Sequence, residues 1–265
     1  MAVKPWLQPY GGPTAAWVGD EAGSVAARLN RRAQAMSLEG DVQFESSNQS
    51  LGALAYEAQC QQGRIPTRDL AHDWYNGVVW QTFPRFKRAL NQAHVQEAIR
   101  QDLPLPGNGR NTKRDALTLL DESGGVLLCR DPAVVQALVQ HDWSTLFGRQ
   151  RMAWGTDIQL LVFGHGLLDA LDHAHKGLCA KVLPVVMECG ELPSIDHLLT
   201  EVLRRVSAPA QLSPLPVLGV PGWWAENQDP GFYADPRVFR PKPTLSANKP
   251  DQRLALRWDG STLSS

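Results

Sequence analysis

The sequence predicts an α/β protein, with α+β as the variant: a small mixed sheet that includes a β-hairpin, covered by five or more helices, with a long irregular C-terminal wrap. Three observations predict it. Several stretches place apolar residues at helical spacing. Two apolar runs, at 157–163 and 179–187, read as strands. Residues 214–241 are dense in proline, glycine and aromatics, which excludes long helices there.

Each element has its own reason. Residues 1–20 read as an irregular arm that packs down through Trp6 and Trp17. A helix over 20–36 has Asp20 as its cap, and a second, over 50–64, stops at Gly63. Thr67 caps a third helix, which runs into the 72–84 stretch and ends or kinks before Pro84. Pro84 opens the next, to 101, and 103–114 is a loop by composition. Residues 115–129 read as two strands around Ser-Gly-Gly, the hairpin. Asp131 and Pro132 open a helix to 140, and Ser194 caps one to 206. Between them, 156–175 reads as a strand, a Gly-His-Gly turn and a helix. The globular domain is expected over 1–240, and 241–265 is expected to be a loose polar tail.

Composition removes several function classes. A net charge of −1 gives nothing that would draw a phosphate backbone or an anionic membrane, so no nucleic-acid partner is expected. No run reaches the ~18 apolar residues of a membrane helix, and the first residues do not form a signal peptide, so a cytoplasmic protein is expected. Cys60, Cys129, Cys179 and Cys189 form no Cys-x-x-Cys pair, and they read as buried thiols. A nucleophile elbow, a dinucleotide fingerprint and a zincin helix are all missing. The expected partner is a small molecule; the sequence names neither a cofactor nor an oligomeric state.

The candidate chemistry starts at "HDWYNGVVWQTFP", residues 72–84. On a helix His72, Asn76 and Trp80 share one face, and in the next helix Lys87, Asn91 and His94 do the same. Two such stripes converge on a pocket for an anionic or carbonyl-bearing ligand, with His as proton carrier. His165, between two glycines at a strand-to-helix turn, is a base or ligand. His165, Asp169 and His173 follow at one-turn spacings, as metal ligands do, but no closed Cys/His set exists, so no tightly bound metal is expected. Asp121-Glu122 suits an acid–base pair, though as a bare pair it reads first as turn chemistry. Arg110, Lys113 and Arg114 offer an anion contact. Trp223 and Trp224 read as a wall or lid over the Lys87–His94 face, with Asn227 in reach.

The enzyme reading makes His94, His165, Lys87, Asp121 and Glu122 catalytic, in acid–base or hydrolytic chemistry. Asn76, Asn91, Arg114 and Asn227 then bind. The alternative is a non-catalytic binding or scaffold protein, in which the same residues form a polar network that specifies the core.

Three further pieces carry a resemblance: Trp74-x-Asn76-x3-Trp80-x3-Pro84-x2-Lys87, then "FGHGLL", then Pro-Gly-Trp-Trp with Asn227 and Phe-Tyr behind it. Over residues 25–241 the chain resembles the proteobacterial family filed as domain of unknown function 3025. The resemblance implies a bacterial, cytosolic, single-domain protein and brings no activity with it. The matching positions include Asn76, Lys87, Asn91, His94, Asp121, Glu122, His165 and Asn227; His173 and His175 stand outside the pattern.

Overall fold

A computed structural model describes residues 4–19, 21–36, 42–48, 51–101, 112–188, 194–243 and 251–264. The first described residues form short 3-10 turns, Pro5–Tyr10 and Gly12–Ala15, which bury Trp6, Leu7, Tyr10 and Ala15. Helix α1 (Val25–Ala35) starts at Ser24, whose side chain accepts the Ala27 N–H. The expected cap, Asp20, lies outside the described residues. Strand β1 (Gln43–Ser46) is followed by α2 (Ala53–Gln61), and Gly63 turns the chain at φ +75°. Strand β2 (Arg64–Thr67) pairs with β1 in parallel. Thr67 therefore caps no helix; its hydroxyl donates to the Ile65 carbonyl inside the strand.

Helix α3 (Ala71–Thr82) buries Trp74, Tyr75, Val78, Val79 and Trp80. Helix α4 (Pro84–Gln101) begins at Pro84, and its free N–H groups at Arg85 and Phe86 donate to the carboxylate of Asp196, far along the chain. Helix α5 (Thr112–Ser123) runs straight into β3 (Gly124–Cys129). The expected hairpin over 115–129 is thus a helix and a strand. The reason is packing: Ala116, Leu117 and Leu120 form a buried helical stripe that outweighs the strand-like look of "TLL". Of the loop expected at 103–114, residues 103–111 lie outside the described residues, while Lys113 and Arg114 belong to α5.

Helix α6 (Pro132–Gln140) takes its cap from Asp131, as read. Strand β4 (Ile158–Val162) leads through Gly164 into α7 (His165–Ala170). Strand β5 (Cys179–Met187) and α8 (Ile195–Arg205), capped by Ser194, follow. The wrap holds β6 (Ser213–Pro216) and short 3-10 turns. The chain ends on β7 (Leu256–Trp258) and β8 (Leu263–Ser264).

The larger sheet is mixed, in the order β4-β3-β5-β7-β8, with β6 also on β5. Strands β3, β5 and β7 are parallel neighbours, while β4, β6 and β8 each run antiparallel to their partners. The segment expected to be a loose tail therefore closes one side of this sheet. Leu256, Trp258 and Leu263 are buried there, and three such side chains hold a short strand that its polar surroundings disguise. The architecture is the mixed α/β arrangement that the sequence predicts. No described helix is long and apolar enough to cross a membrane.

Candidate functional site

A cleft of about 310 Å³ opens where α2, α3, α4, α5 and α7 meet. Tyr56 and Glu57 of α2, Arg68 before α3, His72, Asp73 and Asn76 of α3, His94 of α4, Arg114, Asp121 and Glu122 of α5, and His165 of α7 line it. Both predicted stripes arrive, but unequally. Asn76 and His94 face the cleft, whereas Lys87 and Asn91 stand behind it and anchor groups that do. Buried Lys87 donates to Asp121 Oδ1 at 2.5 Å, with its ammonium over the Trp80 ring. Asn91 donates to the Glu57 carboxylate and, at 2.9 Å, to the Glu57 carbonyl. Asn76 donates to the Tyr56 hydroxyl at 2.7 Å. Arg68 forms a two-pronged ion pair with Asp73, at 2.7 and 3.2 Å.

Glycine lets the elements meet closely. A side chain at Gly164 would collide with the backbone of Ser123 and Gly124, and one at Gly166 with the carboxylate of Glu122. The N-terminus of α7 therefore seats directly on the last turn of α5. That seating brings His165 between three neighbours. Its Nδ1 lies 3.5 Å from Asp121, its Nε2 3.7 Å from Glu122, and the same Nε2 meets His72 Nε2 at 3.0 Å. The far nitrogen of His72 lies 3.8 Å from Asp169.

The cleft shifts several acidities. Burial pushes the Glu57 carboxyl up to about 7, against the pull of its Asn91 hydrogen bond. Burial alone would push Asp121 up as well, but Lys87 and His165 overcome it and hold that carboxyl well below the usual range. Burial lowers His94 and His72, favouring their neutral forms, with His165 adding to the effect on His72.

Two expectations are corrected. Asn227 is fully buried away from the cleft, where its amide donates to the carbonyls of Leu218 and Val220 at 2.9 and 2.7 Å. It braces the wrap. Trp223 and Trp224 do not roof the Lys87–His94 face either. Trp223 packs on Trp6, with ring centroids 5.8 Å apart, and the two tryptophans line a separate cleft of about 610 Å³ beside the N-terminal turns. The wrap found a ready apolar partner in Trp6, which the sequence does not place.

Two lining residues, His72 and Glu57, carry no site role in the sequence, and Asp169 behind them takes a different one. His72 sat on the predicted stripe but had no visible partner. Asp169 was read as a ligand in line with His173; it turns instead toward His72. Glu57 carried no local signal, because what surrounds it comes from α4 and α5.

Residues 42–243 fit the model of a family described as protein of unknown function, DUF3025. No curated protein and no solved structure matches the chain.

Proposed function

We propose that this chain, which belongs to the DUF3025 family, is an enzyme performing hydrolytic, acid–base chemistry on a small polar substrate held in the cleft. One observation carries the reading. Acid–base groups converge on an open cleft, and several are held from behind: Glu57 by Asn91, Asp121 by Lys87. A network that served only the core would close on itself; this one keeps its working faces toward a space of ligand size.

The roles follow from position. Glu57, with its acidity near neutrality, carries the proton, since a base works best when its pKa lies near the operating pH. The His72–His165–Glu122 group holds and polarises the attacking water. Arg68, Arg114, Asn76 and His94 orient the substrate. Lys87 and Asn91 are positioning residues.

The test is a panel of chromogenic esters, amides and phosphomonoesters. Wild-type protein is expected to turn over at least one class, with activity rising through a pH of about 7. Glu57→Gln should lower kcat by roughly 10²–10⁴-fold and abolish that rise. A wild type inert toward every member, or turnover that survives both Glu57→Gln and His165→Ala, overturns the proposal.

A further inference from the structure

We propose that His72, His165 and Glu122 bind a divalent transition metal, zinc by the nature of the ligands, with one coordination position open to the cleft. The argument begins with tautomers. Each imidazole turns Nδ1 toward a carboxylate, His165 toward Asp121 at 3.5 Å and His72 toward Asp169 at 3.8 Å. An ionised carboxylate only accepts, so these neighbours suit a proton on each Nδ1, the form that presents both Nε2 lone pairs to a metal. Those two lone pairs face each other at 3.0 Å, and Glu122 Oε1 stands 3.7 Å from His165 Nε2 and 3.9 Å from His72 Nε2. Three acceptors aimed at one region repel. A cation among them makes the same geometry attractive.

The dimensions suit a metal. The point equidistant from the three ligand atoms lies about 2.1 Å from each, inside the ~2.0–2.2 Å span of zinc bonds to imidazole nitrogen and carboxylate oxygen. Two imidazoles and one carboxylate favour zinc or a neighbouring transition ion over magnesium or calcium, which take oxygen ligands. Three protein ligands, rather than a closed four, mark a reactive site. The carboxylates behind the two imidazoles form the outer shell that orients such ligands.

The expectation of no tightly bound metal rests on the lack of a closed Cys/His set, and the one stripe weighed, His165, Asp169 and His173, takes its ligands along one stretch of chain. Here they come from α3, α5 and α7, brought together by the glycine-mediated seating of α7 on α5. A metal held by this group would polarise the bound water and lower its pKa, which deepens the part that the same three residues take in the hydrolytic chemistry. That role rests on the enzyme reading above; the binding site rests on geometry alone.

The experiment is zinc titration of full-length protein stripped by a chelator, read by calorimetry and by elemental analysis after dialysis. One zinc per chain is expected. His72→Ala, on the more exposed of the two imidazoles, and Glu122→Gln should each weaken binding at least 100-fold while circular dichroism stays native. Asp169→Asn should weaken it by roughly 10–100-fold. His173→Ala should leave it unchanged. Cobalt substitution should give visible ligand-field bands that vanish in His72→Ala. A wild type that binds no zinc, or binding that survives His72→Ala and Glu122→Gln alike, overturns the site. Zinc bound without turnover overturns only the enzyme reading; turnover without zinc overturns only this one.

Discussion

Replacing Lys87 by Met tests whether the ion pair behind the cleft holds the fold in place. The Lys87 side chain is 3% exposed and that of Asp121 22%, with 2.5 Å between Nζ and Oδ1. Methionine keeps most of the apolar stem that lies against Trp80, so the change chiefly removes the charge. Asp121 is then left in the interior with a carboxylate and no full counter-charge. Breaking a buried pair this way costs about 3–5 kcal/mol, and the partial exposure of Asp121 reduces that to roughly 2–4 kcal/mol. At ~2–4 °C per kcal/mol for a chain near this size, the melting temperature should fall by about 4–16 °C.

A double-mutant cycle with Asp121→Asn separates the pair from its surroundings. Each single change strands a charge, whereas Lys87→Met with Asp121→Asn strands none. The double variant should therefore be more stable than the sum of the singles predicts, by at least ~1.5 kcal/mol in urea denaturation. A Lys87→Met cost below ~1 kcal/mol, or strict additivity, would refute the buried-pair argument.

Other consequences can be measured separately. Because the Glu57 carboxyl is raised to about 7 from its ordinary 4.5, its penalty on the folded state is absent below about 4.5 and complete above about 7. Glu57→Gln should match wild type in melting near pH 4.5 and exceed it at pH 8, by at most ~3 kcal/mol; a gap that does not widen with pH refutes this. Gly166→Ala should push the Glu122 carboxylate out of the cluster, while its 3.1 Å approach to the Glu122 carbonyl asks for only a small backbone give, so zinc affinity should fall far more than the melting temperature. Trp258→Ala should cost about 3–5 kcal/mol, and a melt like wild type would show that the last strands are dispensable. Asn227→Ala removes the donors to the Leu218 and Val220 carbonyls, of which Val220 keeps the Trp223 N–H, and should cost about 1–3 kcal/mol in urea while leaving zinc affinity untouched.

What could be read from the chain was what local chemistry decides. Ser194, Asp131 and Pro84 start helices because their side chains or ring suit a first turn, whatever lies elsewhere. Strand β5 is apolar along most of its length because it lies inside the sheet with helices α5 and α6 packed against it. The misses share the opposite cause. Strands β1, β2 and β7 are three or four residues long, too short for a period to show, and exist because a partner strand is nearby. In the site, Asn76 and His94 were legible as faces of helices. That Lys87 would stop at Asp121 instead of reaching the cleft depends on a helix 34 residues away in sequence, which no window contains.

The pair Asp121-Glu122 shows how the two kinds of information combine. As a dipeptide before two glycines it resembled a turn. In the last turn of a helix, consecutive side chains diverge by about 100°, so neighbouring carboxylates cannot share one direction. Asp121 points back to Lys87 and to the Nδ1 side of His165, while Glu122 points to the Nε2 side. Two adjacent residues thus bracket both nitrogens of one imidazole. The glycines after them do not make the turn that such residues suggest. Gly124 starts the strand directly, and the backbone there lies so close to Gly164 that α7 can enter with His165 at its first position. In the proposed metal site one carboxylate backs the ring and the other joins it as a ligand, so the helix-to-strand junction would build the centre.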